Sequence, residues 1–168
     1  MPMLIRSELP KDIEAIGQVT IRAFQNAPHT DHTEQFIVRE LRAANALAVS
    51  LVAEINGQIV GHVAVSPVTI SDGSPAWFGL GPISVSPECQ GQGVGSALMV
   101  AAISALRELS AHGCVLLGDP NYYRRFGFRS VPALVLPGLP AEYFQAMLIS
   151  GPLPQGKVTY HAAFNARQ

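Results

Sequence analysis

The segment Gln90-Gly91-Gln92-Gly93-Val94-Gly95-Ser96 sets three glycines at alternating positions directly ahead of an apolar helical pattern. A glycine-rich turn that opens a helix is suited to phosphate, because the first turn leaves about four N–H groups without partners and carries roughly half a positive charge. Glycine serves such a turn in two ways: a Cβ would block close approach of a ligand, and the turn can call for positive φ. Further along, Asn121-Tyr122-Tyr123-Arg124-Arg125-Phe126-Gly127-Phe128 carries two adjacent phenols, which can donate a proton at a pKa of about 10. The cysteines offer less. Cys89 precedes the turn with no legible His–Asp or His–Asn partnership and reads as a small structural residue, while Cys114 opens an apolar strand and reads as core.

Three phosphate-binding patterns compete for the turn. A P-loop ends in Lys followed by Ser or Thr, and no lysine lies between Lys11 and Lys157. A dinucleotide fingerprint needs G-x-G-x-x-G; counted from Gly91 the last position is Ser96, and counted from Gly93 it is Leu98. Only Asp119, closing the following strand, stands where a ribose-binding acid would be expected. The register left is Gln90-x-x-Gly93-x-Gly95.

The elements that must hold these residues can be read from periodicity. Ile13, Ile16, Val19 and Ala23 recur at helical spacing behind Pro10 and Asp12, and a second helix is expected from Thr33 with Ile37, Leu41 and Ala44 on one face. The period then changes: two β-rich runs flank Asn56-Gly57, a strong hairpin signal, and 76–86 reads as a third, buried strand ending at Pro87. A helix is expected from about Ser96 to His112, with Leu98, Ala102, Leu106 and Leu109 as its buried stripe and Gly113 as its C-cap. Short strands are expected at 114–119, 127–131 and 157–164, and a short helix around Tyr122 and Tyr123. The order helix, helix, three strands, helix, strand, short helix, strands is that of an α/β domain with antiparallel pairs first and a strand–helix–strand crossover later.

At 168 residues one domain is expected, with proline-rich 132–168 completing the sheet. Eleven basic and twelve acidic side chains leave a formal charge of −1, with no basic stripe for nucleic acid and no apolar run long enough to span a bilayer. The N-terminal stretch lacks the apolar core of a signal peptide and two cysteines make no disulfide framework, so a cytoplasmic location is expected. With only 14% charged residues and a positive mean hydropathy, a homodimer that hides apolar surface is the expectation. His29-Thr30-Asp31-His32 has no second ligand group at recognisable spacing, and no metal is expected there; a role in capping and covering a substrate, with Asp31 attracting a cationic amine, fits better.

The surviving register resembles the GNAT acetyltransferases, whose pyrophosphate loop is Gln/Arg-x-x-Gly-x-Gly/Ala between a strand and a helix. The likeness extends through Ile83 to Met99, and Asn121 to Phe128 is similar to the tyrosine segment that ends the family's coenzyme site. It covers residues 3 to 131, and more narrowly 79–85 and 117–128 resemble the YhbS-like branch of predicted N-acetyltransferases, a likeness that reaches the proline-rich tail only at branch level. The resemblance implies a GNAT fold: a mixed central sheet with antiparallel N-terminal strands, flanked by helices. It implies direct transfer of the acetyl group of acetyl-CoA to a primary amine, without an acyl-enzyme. It further implies coenzyme binding by Ile83, Ser84 and Val85, whose backbone pairs with the pantetheine arm, and by Gln90, Gly91, Gln92, Gly93, Val94, Gly95, Ser96 and Tyr122. Gly79 and Gly81 are then expected to permit the strand distortion that opens this groove, and Tyr122 to pack inward. Tyr123 would protonate the leaving thiolate, or stand as an amphipathic wall touching the coenzyme. Asp119-Pro120-Asn121 departs from the family's usual small-polar stretch and leaves the part of Asn121 open, while Arg124 and Arg125 could reach phosphates or face solvent. Glu54 and His62 are candidates to take the amine's proton, against bland readings as a solvated strand position and a core histidine; Glu88 is expected to face solvent. No base is assigned. A non-catalytic acyl-CoA-binding module is the other reading.

Overall fold

The computed structural model describes residues 2–28 and 30–168. The chain opens on a strand that periodicity did not reveal, β1 (Met3–Ser7). Its five residues are too few to establish a period of two, and Leu4 remains exposed while Met3 and Ile5 pack on the core. α1 (Ile13–Phe24) and α2 (Glu34–Ala43) follow, with Thr33 as the N-cap of α2. Their buried positions are Ile16, Val19 and Thr20, then Ile37, Val38 and Leu41; Ile13 and Ala44, expected inside, are exposed.

β2 (Val49–Ile55) turns at Asn56 and Gly57, both with positive φ, into β3 (Gln58–Ile70). That pair of conformations is what the right-handed twist of a two-residue hairpin demands. β4 (Trp77–Val85), α3 (Val94–Glu108), β5 (Gly113–Leu117) and the single turn α4 (Pro120–Tyr123) complete the crossover. Three short strands close the chain: β6 (Leu134–Val135), β7 (Phe144–Leu148) and β8 (Gly156–Tyr160). The sheet runs β1-β2-β3-β4-β5-β7, all antiparallel except β4–β5, and β8 adds to the far end of β3. This is the expected mixed sheet flanked by helices.

Alternation along β2 sends Leu51 and Ala53 to the face covered by α3, where Leu98, Met99, Ala102 and Leu106 meet them, and Val52 to the face covered by α1 and α2. Leu109 is not part of that stripe. The helix stops at Glu108, Ser110 takes the left-handed position, and Ala111 N–H bonds Leu106 O at 3.0 Å, so Ser110 does the work expected of Gly113. Gly113 belongs to β5, and a Cβ there would run into the Trp77 indole. The strand expected at 127–131 is reduced to one bridge, Arg129 with Ala146, beside the buried Phe128. β7, also unforeseen, is buried from Phe144 to Met147, and its buried Gln145 interrupts an otherwise apolar run. No helix among the described residues is long and apolar enough to cross a membrane.

Candidate active site

β4 and β5 pair only where Trp77–Gly79 face Gly113–Val115. Beyond that point β5 stays with β7, and β4 runs on to Val85 with β3 as its only neighbour among the described residues. The break falls at Gly81, whose φ of 141° favours glycine, and at Pro82; Val65 stands opposite Leu80 and Val63 opposite Ile83, so β4 carries an extra residue here. Gly79 answers a different need: a Cβ there would lie 2.8 Å from the Tyr160 ring.

The register decides which groups face the opening. Ser86 N–H bonds Val60 O at 2.8 Å, so by alternation Ser84 turns its N–H and C=O to β3 while Ile83 and Val85 turn theirs outward. Gln90 Nε2 reaches the outward Val85 O at 3.1 Å. The expectation that three consecutive residues present their backbone is corrected accordingly: Ile83 and Val85 do, and Ser84 does not.

At the end of that edge lies the glycine turn. Gly93 caps α3 in the left-handed region (φ 88°), so the helix begins at Val94, ahead of the expected Ser96. The first backbone bond of the helix runs from Ala97 N–H to Gly93 O at 3.0 Å, and among the described residues the N–H groups of 91–96 donate to nothing. A Cβ built at Gly91 or Gly93 meets no atom within 4 Å; these glycines leave room for something other than protein. They line a cavity of about 430 Å³ with Val85, Cys89, Gln90, Gly95, Ser96, Tyr122 and Arg125. Tyr122 therefore faces this cavity instead of packing inward: its hydroxyl is 3.4 Å from Ser96 Oγ, and the Arg125 guanidinium sits 4.6 Å over its ring. Arg125 also donates from Nε to Tyr122 O at 3.0 Å; Arg124, exposed like its neighbour, does not line this cavity. Gln92 Nε2 folds back onto Glu88 O at 3.1 Å.

A second cavity, of about 350 Å³, opens at the other end of the free edge. Leu80, Gly81, Pro82 and Ile83 form one wall, Tyr123 another, and Phe24, Glu34, Ile37, Tyr160 and Phe164 close it. Tyr123 packs edge-on to Tyr122 with ring centroids 4.9 Å apart and lies over Gly118, where a Cβ would strike its ring. Burial, with smaller contributions from Tyr122 and Asp119, pushes its hydroxyl up to about 12. Glu34 shares a hydrogen bond with Thr30 through Oε2, while its Oε1 is buried without a partner among the described residues. The Tyr160 hydroxyl is likewise buried and unpartnered, and burial raises its pKa.

The other sequence candidates lie elsewhere. Glu54 is bound by Arg6 at 2.8 Å, and Arg6 also holds Asp12 at 2.7 Å; the three line a separate cavity, and Glu54 reaches neither of the two beside β4. His62 is buried between β2 and β4, its Nε2 2.8 Å from Ser50 Oγ and its Nδ1 unpartnered among the described residues, a core histidine only half satisfied. Glu88 pairs with Arg22 at 3.2 Å on the surface. Asp119 caps α4 by accepting from Asn121 N–H at 2.8 Å and lines neither cavity, and Asn121 is exposed. Asp31 and His32 are exposed and line neither cavity; His29 lies outside the described residues. Cys114 is fully buried. Sequence reasoning missed Glu34 and Tyr160, and left Arg125 undecided. Glu34 looks like any acidic residue in a helix's first turn, and Tyr160 like any aromatic in a strand; only the fold brings them together.

Comparison with known proteins agrees with this geometry. Residues 46–130 match the family described as the acetyltransferase (GNAT) domain. The chain is 34% identical over 170 residues to the uncharacterized N-acetyltransferase YhbS of Escherichia coli (strain K12), covering 97% of this chain and 99% of that protein. Among solved structures, a GNAT family acetyltransferase from Brucella melitensis in complex with acetyl-CoA superposes with a TM-score of 0.87 at 47% identity, over 97% of this chain and 98% of that one. YhbS from E. coli in complex with CoA gives 0.88 at 33% identity, over 98% and 92%.

Proposed function

The chain belongs to the GNAT acetyltransferase family, and from that premise we propose that it binds acetyl-CoA along the open edge of β4 and transfers the acetyl group directly to a primary amine. The observation that carries this reading is the free edge at Ile83 and Val85, with an unpartnered N–H cradle at one end and a cavity holding Tyr123 at the other.

The residues present fit the coenzyme. The N–H groups of 91–96 supply donors and partial positive charge for a pyrophosphate, the bare Cα atoms of Gly91 and Gly93 leave it room, and Arg125 adds a cation. The outward N–H and C=O groups of Ile83 and Val85 can pair with the amides of a pantetheine arm as a neighbouring strand would. One of those N–H groups then polarises the thioester carbonyl as negative charge develops on its oxygen, a contribution of about 10² to 10³ in rate for one well-placed donor. Tyr123 holds its proton at working pH and gives it to the departing sulfur. The amine must be neutral to attack, and an alkylammonium ionises at a pKa of about 10, so the acceptor cavity must help it lose a proton.

The test is turnover. Purified protein with acetyl-CoA and a broad panel of amines is expected to release free thiol and acetylated amine in equal amounts. Binding of acetyl-CoA with no thiol released by any amine would favour a non-catalytic acyl-CoA-binding module.

A further inference from the structure

We infer that the acceptor is a small primary amine bearing one positive charge on an apolar body, and that Glu34 seats its ammonium group. This rests on the acetyl-transfer reading above. Among the described residues Glu34 is the sole charged side chain lining the 350 Å³ cavity; Phe24, Ile37, Leu80, Ile83 and Phe164 make its walls apolar. A second ammonium, as in a polyamine, would face those walls without a partner, and an anionic acceptor would find no cation there. Glu34 Oε1 is the matching gap on the protein side. It is buried and among the described residues accepts nothing, although buried carboxylate oxygens are costly to leave bare, while Oε2 is fixed by the Thr30 hydroxyl. An ammonium donor arriving with the acceptor completes it.

The same contact gives the proton a destination. The apolar walls desolvate the ammonium and lower its pKa, and Glu34 Oε1 takes the first proton. The freed nitrogen lone pair forms the C–N bond to the thioester carbon as the C–S bond breaks, with the electron pair leaving on sulfur. Tyr123 protonates that sulfur and recovers a proton from the acylated nitrogen; the proton on Glu34 returns to solvent. The sum is ammonium plus acetyl-CoA to amide, CoA thiol and one proton.

The experiment measures kcat and KM for 2-phenylethylamine, spermidine and a lysine-containing hexapeptide with wild type, Glu34→Gln and Glu34→Asp, alongside acetyl-CoA affinity by calorimetry. The expected result is a kcat/KM for 2-phenylethylamine at least about tenfold above the other two. Glu34→Gln should lower it about 100-fold with a raised KM, Glu34→Asp should restore part, and acetyl-CoA affinity should stay within about twofold throughout. Preference for spermidine or the hexapeptide, no turnover of any of the three, or full activity in Glu34→Gln would overturn the inference. Loss of acetyl-CoA binding in the wild type would instead sink the reading beneath it.

Discussion

Burial raises the Tyr123 hydroxyl to about 12, so the phenol is protonated across the whole working pH range. The walls that desolvate it also raise the proton affinity of a thiolate formed beside it, which keeps the transfer from phenol to sulfur within reach. Tyr123→Phe should therefore lower kcat by about 10² to 10⁴ while acetyl-CoA affinity stays within about twofold; steady-state kinetics with calorimetry checks this. A fall smaller than about threefold would leave Tyr123 as a wall residue. The two neighbouring arginines separate as cleanly. Both are exposed, but Arg125 stacks on Tyr122 and lines the cavity of the glycine turn, whereas Arg124 does neither. Arg125→Ala should weaken acetyl-CoA binding about tenfold, as expected for one charge-assisted phosphate contact, and Arg124→Ala should leave it unchanged.

At the scale of elements, the site exists because β4 leaves β5 after Gly79, and because α4 is seated against Gly118 at the end of β5. A methyl at Gly118 must displace the Tyr123 ring. Gly118→Ala should accordingly lower kcat more than tenfold and leave acetyl-CoA affinity nearly intact, since the glycine turn lies on the other side of α4; equal damage to both would show that α4 itself is lost. These elements differ in how far the sequence announces them. The Asn56-Gly57 hairpin and the glycine turn were legible because each needs backbone conformations that few residues adopt. β1 and β7 were not, being five-residue strands whose partners lie far along the chain. Gly113 was misjudged for a related reason: a glycine after a helix resembles a cap, and only the packed sheet shows the Trp77 ring that forbids a Cβ. Of the site, the Gln90–Ser96 turn and the two tyrosines could be read locally, but the 350 Å³ cavity unites Phe24, Glu34, Leu116, Tyr123 and Tyr160, which no local pattern connects.

Across the whole molecule, a part-buried polar cluster around the buried His62 ties α2, β2 and β3 to Glu8, the residue after β1. Arg42 donates to both oxygens of Glu8 at 2.9 Å, Glu8 accepts from Ser50, and Ser50 meets His62. Burial drives His62 from 6.5 down to about 4, against the pull of Glu8. Above pH 6.5 the ring is neutral folded or unfolded and adds no pH dependence. Below it the unfolded chain takes up a proton that the folded chain refuses, so stability falls as pH drops from 6.5 towards 4, by about 3 kcal/mol in all. The carboxylates act lower: hydrogen bonding from Arg6 outweighs burial and holds Asp12 at about 2, so its contribution is lost only as pH falls below the usual carboxylate range. Urea unfolding at several pH values should show the upper slope in wild type and a flatter one in His62→Gln; identical slopes would exclude His62 as the cause.

The most direct test of the central claim is calorimetric titration of the protein with acetyl-CoA, beside CoA, NAD and NADP, in wild type and Gly93→Val. Gly93 sits at φ 88° with open space where a Cβ would stand, so valine both strains the turn and fills the room left for a phosphate. The account predicts micromolar binding of acetyl-CoA and CoA by the wild type, loss of at least about 100-fold in Gly93→Val, and no binding of either dinucleotide. Dinucleotide binding without acetyl-CoA binding would contradict it.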